Sequence, residues 1–219
     1  SGLPSFEFNK QQDAPEVLDF ILDELKGMSA LADNLFSVRV KSESSCDTCG
    51  CSSVSEVKLN SLEVPAMSSI SKAIEKRFQP QSARRKCPIC GIDTEFTEES
   101  SLVSCGTILI IQIERFSRSQ GRSIRNTHCV DCHVTQSGIL VPPNRLPTTL
   151  SDSEISFSNS YSLVATINHT GSLDYGHYTA YIKDSDTGSW LFCNDKSVSS
   201  CKTTDVNNVS SYVLFFVRL

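Results

Sequence analysis

Tyr175-Gly176-His177-Tyr178-Thr179-Ala180-Tyr181 and Trp190-Leu191-Phe192-Cys193-Asn194-Asp195 are two strand-like arms joined by Lys183-Asp184-Ser185-Asp186-Thr187-Gly188, a run of chain-bending residues. Folded about Ser185/Asp186, the arms make a β-hairpin in which His177 lies directly opposite Asn194. Directly opposed residues share a sheet face, with Cβ atoms about 4.5–5.5 Å apart. An imidazole held by a carboxamide or carboxylate is two thirds of a Cys-His-Asn/Asp hydrolase site. A buried histidine bonded to the neighbouring strand satisfies the same pattern, so the hairpin alone leaves both readings open.

The remaining sequence bounds the setting. Its 219 residues suit one large domain, or one domain with a protruding subdomain. No apolar run approaches the roughly 20 residues that span a bilayer, and no charged-then-apolar leader opens the sequence. A membrane partner is not expected. The net charge of −5 argues against nucleic acid and for a partner with a basic surface. Ten cysteines, many in CxxC pairs and with no sign of export, suit metal in a reducing compartment better than disulfides. A cytoplasmic or nuclear protein is the expectation.

Cys46-Asp47-Thr48-Cys49 and Cys87-Pro88-Ile89-Cys90 are the two clear CxxC pairs. Each such turn points two sulfurs at one centre, and two turns complete a closed tetrahedral site with Zn–S distances of about 2.3 Å. With no open position, zinc there is structural. Cys51 is a neighbour that could substitute for Cys49. His128-Cys129-Val130-Asp131-Cys132-His133 has ligand chemistry too, but no matching partner pair, and reads better as a strand edge carrying small semi-apolar side chains. Cys105, Cys193 and Cys201 read as buried apolar fillers.

Along the chain, Asp13 to Lys26 predicts a helix with Val17, Leu18, Ile21, Leu22 and Leu25 on one stripe. Asp13 is its expected N-cap, Glu16 the partner in a capping box, and Gly27 its end. Leu35 to Val40 and Glu56 to Val64 predict strands, and Ser68 to Phe78 a short helix. Thr107 to Ile113 (TILIIQI) is a strand buried on both faces. Ser117 to Arg125 predicts a basic loop or hairpin tip, and Gly138 to Ser160 an irregular stretch. Tyr161 to Ile167 and Tyr212 to Val217 complete the strands. One clear helix, a metal-bearing insertion and then mostly strands predict an α+β fold with an antiparallel sheet.

These pieces together resemble the ubiquitin-specific proteases. Gln11-Gln12-Asp13-Ala14-Pro15-Glu16-Val17-Leu18 resembles their Q-x-D-A-x-E-F-L box, and the CxxC pairs with Leu59 to Pro65 resemble their zinc-bearing fingers. Ile108 to Phe116 is similar to their L-I-I-H-L-K-R-F strand, and Tyr161 to Tyr181 to their histidine box. Trp190 to Val198 and Tyr212 to Phe216 resemble the remaining C-terminal segments. The resemblance implies a papain-like fold of fingers, palm and thumb over 1–219, with thumb remnant 11–34, fingers 35–116 and palm 117–219. It implies a thiol-dependent deubiquitinase acting on ubiquitin or ubiquitinated proteins, with His177 as general base, Asn194 orienting it and Asp195 as an auxiliary polar group. Gln12, Asp13, Glu16, Gly176 and Tyr178 would contact ubiquitin, the two acids facing its basic tail. His169 would be a framework residue, and Cys46, Cys49, Cys87 and Cys90 the zinc ligands.

The sequence also departs from the family. Its nucleophile lies upstream in an N-x-C-Y-M-N type segment that nothing in this sequence resembles. The chain as written is therefore expected to be inactive: a fragment of an enzyme, a natural truncation, or an inactive ubiquitin-binding relative, with the fragment favoured. A missing N-terminal part would also expose an apolar surface open to association. Gln112 stands where the family's strand carries His, and Cys129 to His133 where a V-x-F-P segment runs.

Overall fold

The computed structural model describes residues 12–119, 121–132, 139–140, 160–173 and 175–219. Helix α1 (Ala14–Met28) begins as expected behind Asp13, with Pro15 in the first turn. The expected capping box does not form: the Asp13 side chain makes no cap bond, because tyrosines described below take its carboxylate. Gly27 does not end the helix either. Ser29 does, turning to an extended φ of −152° while its Oγ accepts the Leu31 N–H at 3.2 Å and so starts α2 (Ala30–Phe36). Leu35 and Phe36 are therefore helical, and the strand expected from Leu35 starts at Val38.

Strands β1 (Val38–Cys46) and β2 (Ser52–Leu59) form a hairpin. The strand expected from Glu56 to Val64 is broken at Asn60-Ser61, where the chain changes sheets and continues as β3 (Leu62–Pro65). Helix α3 (Ile70–Arg77) follows, and β4 (Gln81–Lys86) and β5 (Asp93–Cys105) make a second hairpin. The two hairpins join through β1 and β5 into a four-stranded antiparallel sheet ordered β2-β1-β5-β4. This sheet has little apolar interior. Strand β2 is exposed along almost its whole length, and the sheet's surface carries ion pairs such as Arg39–Glu56 between β1 and β2 at 2.9 Å and Arg85–Glu98 between β4 and β5 at 3.0 Å. Exposed pairs contribute about 0–1 kcal/mol each. At the tip, only Phe96 is buried with Cys46 and Cys87, beneath the Arg85 guanidinium at 4.1 Å.

The rest of the chain forms β6 (Ile108–Glu114), β7 (Phe116–Ser119), β8 (Arg122–Arg125), β9 (Ile139–Leu140), β10 (Ser160–Gly171), β11 (Gly176–Lys183), β12 (Trp190–Asn194), β13 (Ser197–Cys201), α4 (Thr203–Val206) and β14 (Ser211–Arg218), most of them in a main sheet with β3. Its order is β13-β12-β11-β10-β14-β6-β3, with β9 on β10 and β7–β8 as a separate hairpin. Every pairing is antiparallel except β3 with β6. The span 35–116 assigned to the fingers is thus divided, since β3 and β6 belong to the main sheet and α3 packs on it.

Alternation sorts the central strands. Ile110 and Val213, with Ile108, Phe215 and Ile167, meet Leu18 and Leu22 of α1 and Phe36 of α2. On the other side Leu109, Ile111, Ile113, Leu214 and Phe216 pack with Ile70, Ala73 and Ile74 of α3 and with Val38, Val40 and Leu102 at the base of the fingers. Both sides of β6 and β14 are covered, which is why TILIIQI is apolar throughout. Most of the irregular stretch expected over Gly138 to Ser160 lies outside the described residues. No helix among the described residues is long and apolar enough to cross a membrane.

Candidate active site and cysteine cluster

The His177 hairpin forms, but in a different register from the one expected. Its ladder runs from Ala180↔Cys193 to Lys183↔Trp190, so the midpoint falls between Asp186 and Thr187. Continuing that register sets Asn194 opposite Thr179, two residues from His177. The loop explains the shift. Asp184 N donates to Ser189 O at 2.9 Å, Gly188 N to Asp184 O at 2.8 Å, and the Asp184 carboxylate takes the Asp186 N–H and the Thr187 hydroxyl. Gly188 closes the bend with a φ of +70°. A slip of two residues preserves the face, and diagonal neighbours remain within side-chain reach. His177 Nε2 and Asn194 Oδ1 lie 2.7 Å apart.

That contact sets the ring's chemistry. An amide oxygen only accepts, so Nε2 carries the proton and Nδ1 the lone pair. Among the described residues Nδ1 has no partner, and the side chain is solvent-exposed. Asp195 adopts a left-handed φ of +50° in the two-residue turn from Asn194 to Ser197. Aspartate tolerates that conformation better than most side chains. Asp195 makes no hydrogen bond or ion pair among the described residues, so the turn is its visible role.

The base of this hairpin is clamped by residues far apart in sequence. His169 is buried and pairs across the ladder with Tyr178, their rings 4.7 Å apart, while Tyr212 and Phe116 each sit 5.9 Å from the imidazole. Arg125 of β8 places Nη1 3.2 Å from His169 Nδ1 and 2.9 Å from Gly171 O, and its Nη2 donates to His169 O. Burial, then the Arg125 charge, lowers the His169 pKa below its usual value, favouring a neutral ring. Gly176 lies directly against His169: a Cβ there would press on Nε2 and come within 2.5 Å of Thr170 O.

Tyr178, next to His177, donates to Asp13 Oδ1 at 2.9 Å and accepts from Ala14 N at 3.3 Å, pinning the start of α1 to β11. Tyr212 adds a 3.4 Å bond to Asp13 Oδ2. Burial first, with the Asp13 carboxylate adding to it, pushes the Tyr178 hydroxyl up to about 12. Of the residues expected to touch ubiquitin, the fold joins Asp13 to Tyr178, and Gly176 and Tyr178 flank His177 along β11 with the Tyr178 side chain on the opposite face of the sheet. Gln12 is half-buried just ahead of α1, and Glu16 is exposed on its first turn. Arg125 and Tyr212 are unanticipated parts of the clamp. A lone arginine in a basic loop carries no sequence signal of a long-range clamp.

At the tip of the four-stranded sheet, the sulfurs of Cys46, Cys49, Cys87 and Cys90 all lie within 4.8 Å of one another. Both turns have the same hydrogen-bond pattern: Gly50 N to Cys46 O and Gly91 N to Cys87 O at 2.9 Å, then Cys46 N to Cys51 O at 2.9 Å and Cys87 N to Ile92 O at 2.8 Å. Gly50 and Gly91 hold φ of +69° and +71°. The Cys90 and Ile89 N–H groups draw the Cys87 thiol down to about 6, the Ile89 bond to Sγ being 3.4 Å. A tetrahedron with 2.3 Å metal–sulfur bonds has sulfur–sulfur edges of about 3.8 Å. Cys49 and Cys87 are separated by 3.8 Å, one such edge, and with all four sulfurs inside 4.8 Å the donor set suits a tetrahedral thiophilic ion. This group could hold a metal, with no position left open.

The third cluster is only partly among the described residues. Cys132 is buried, with Sγ on Val130 O at 3.3 Å, Cys129 and His128 are exposed, and His133 lies outside the described residues. Cys105, Cys193 and Cys201 are not buried as expected: Cys105 and Cys201 pack partly exposed against the edge of the main core, and Cys193 is half-buried in β12 next to the open end of the hairpin.

The family model described as ubiquitin carboxyl-terminal hydrolase matches residues 3–216. Ubiquitin carboxyl-terminal hydrolase 25 of Arabidopsis thaliana is 28% identical over 237 residues, a match covering 97% of this chain and 34% of that protein. Ubiquitin carboxyl-terminal hydrolase 15 of Rattus norvegicus is 32% identical over 135 residues, covering 60% of this chain and 13% of that protein. The chain thus spans about a third or less of these relatives' length. The solved SAGA Ubp8/Sgf11/Sus1/Sgf73 DUB module bound to ubiquitin aldehyde superposes with a TM-score of 0.74 over 96% of this chain and 50% of that one. At 19% identity, what the two share is the fold.

Proposed function

The chain belongs to the ubiquitin carboxyl-terminal hydrolase family, and from that premise we propose that it is the base-bearing part of a thiol-dependent deubiquitinase. It binds ubiquitin and serves hydrolysis of the bond after ubiquitin's C-terminal glycine. The 2.7 Å contact between His177 Nε2 and Asn194 Oδ1 carries this reading, because it leaves a basic nitrogen facing solvent in a fixed orientation. A thiol brought to Nδ1 loses its proton there and attacks the glycine carbonyl. The departing amine takes the proton from His177, and water then releases the acyl-enzyme with His177 again as base. Asn194 stabilises the imidazolium that forms between the steps, and Asp195 serves as a flanking polar group.

In this reading the thiol is not one of the ten cysteines. His177 makes no hydrogen bond to any of them, and Cys193, the nearest in sequence to Asn194, alternates to the opposite side of β12. The nucleophile in this reading comes from a segment outside this sequence, and the chain alone does not turn over. Glu16 and the tyrosine-held Asp13 offer negative charge to ubiquitin's basic tail, with Gln12, Gly176 and Tyr178 bordering the same approach. Zinc on Cys46, Cys49, Cys87 and Cys90 would act as a structural cross-link between the two finger hairpins, which have almost no core of their own. A reducing cytoplasmic or nuclear setting suits those thiols.

Two measurements test the proposal. Calorimetry of this chain with ubiquitin should show association, and no association refutes it. The encoded protein extended upstream through an Asn-x-Cys segment should release a fluorophore from the ubiquitin C terminus, and His177→Ala should abolish the release. Binding without release by the extended protein would replace the enzyme with an inactive ubiquitin-binding relative.

A further inference from the structure

We propose that Cys51 is a fifth, interchangeable sulfur at the finger tip, sharing one metal-ligand position with Cys49. The inference rests on the metal reading of that tip and asks which sulfurs fill it. Cys51 Sγ lies 3.5 Å from Cys87 Sγ, nearer than Cys49 Sγ at 3.8 Å. The backbone explains why. Cys46 N donates to Cys51 O, and the neighbouring ladder pair is Ser45↔Ser52, so Cys51 opposes Cys46 across the hairpin and points to the same side.

The second turn shows that its backbone pattern does not need this sulfur. Cys87 N donates to Ile92 O as Cys46 N does to Cys51 O, and at that equivalent place stands an exposed isoleucine. Cys49 and Cys51 flank Gly50, whose φ of +69° and open surroundings give the backbone a pivot between them. Cys46 and Cys87 are buried anchors, whereas Cys49 is exposed and Cys51 half-buried. The rim of the first turn therefore holds two sulfurs for one seat.

Either Cys49 or Cys51 would supply the fourth thiolate to the metal while the unused sulfur keeps its proton, so the site would hold four thiolates and the same charge with either one. An electrophile that caps the exposed Cys49 then leaves the finger tip closed.

Cobalt(II) spectroscopy and zinc content of the full chain test this directly. Wild type should bind one equivalent with a four-sulfur cobalt spectrum, and Cys49→Ser should keep both the stoichiometry and the spectrum. Cys49→Ser/Cys51→Ser should lose a sulfur from the spectrum and weaken binding, because the site then lacks a fourth thiolate. A Cys49→Ser spectrum with one sulfur already lost overturns the shared seat while leaving the metal site standing. Wild type that binds no metal overturns both. Alkylation of the zinc-loaded wild type needs no substitution: mass spectrometry should find Cys49 or Cys51 modified with metal retained, never both. Metal loss on the first modification would refute the proposal.

Discussion

Replacing Gly176 with alanine is the sharpest test of how the His177 hairpin is held. The added methyl would press on His169 Nε2, reach 2.8 Å from His169 Cδ2 and 2.5 Å from Thr170 O. One neighbour is a ring already wedged among Tyr178, Tyr212 and Phe116, and the other is backbone of the adjoining strand. Neither can swing aside cheaply. Overpacking of a well-filled site costs about 1–3 kcal/mol, and contact with backbone places this case in the upper half of that range. With an unfolding entropy of ~2.1 cal/mol/K per residue, a chain of 219 residues loses about 4–7 °C in Tm for ~2–3 kcal/mol.

Thermal unfolding of Gly176→Ala supplies the measurement. A double-mutant cycle with His169→Ala locates the strain. Removing the ring should recover part of the loss and leave the Thr170 share, giving a coupling energy of about 1 kcal/mol or more. The His177 imidazole resonances should shift as well, because the methyl lifts the strand that carries it. An unchanged Tm, or purely additive effects in the cycle, would refute the account of Gly176 as a contact position.

Other outcomes follow from the same geometry. Tyr178→Phe removes a hydroxyl that donates to Asp13 and accepts from Ala14, and should cost about 1–3 kcal/mol in urea unfolding with faster amide exchange at the start of α1. The His169 pKa is depressed by burial and by Arg125, so its contribution is present above the unfolded value of about 6.5 and is lost as pH falls below it. Urea midpoints measured from pH 8 to 5 should decline through that window, and His169→Gln should flatten the decline; a slope that survives the substitution assigns it elsewhere. Chelation of zinc-loaded protein should raise hydrogen exchange at Cys46–Cys51 and Cys87–Ile92 while β6, β10 and β14 keep their protection. Equal loss across both sheets would contradict a metal that staples the fingers alone.

How legible each element was depended on its surroundings. The TILIIQI strand is covered on both sides, and the pattern along Val17 to Leu25 has a helical stripe; each leaves a period or a run to read. Strands β4, β5 and the first half of β2 do not, because a sheet largely open to solvent selects serine and charge without alternation. The face shared by His177 and Asn194 was readable because side-chain direction repeats every two residues. The register was not, since it depended on how Asp184 and Gly188 closed the loop. The capping box failed for a related reason: tyrosines 165 and 199 residues away took the Asp13 carboxylate. Such tertiary partners override a local motif without leaving any mark beside it.

Strand β14 lies between β10 and β6, with three strands beyond β10 on one flank and β3 beyond β6 on the other. On the ribosome, both flanks emerge before the piece that joins them. Until residues 211–218 arrive, the half that carries the imidazole has no wall to dock against, and its apolar edges stand open. A premature stop just ahead of Ser211 would thus remove the keystone rather than trim a margin, and quality control would meet two loose half-sheets.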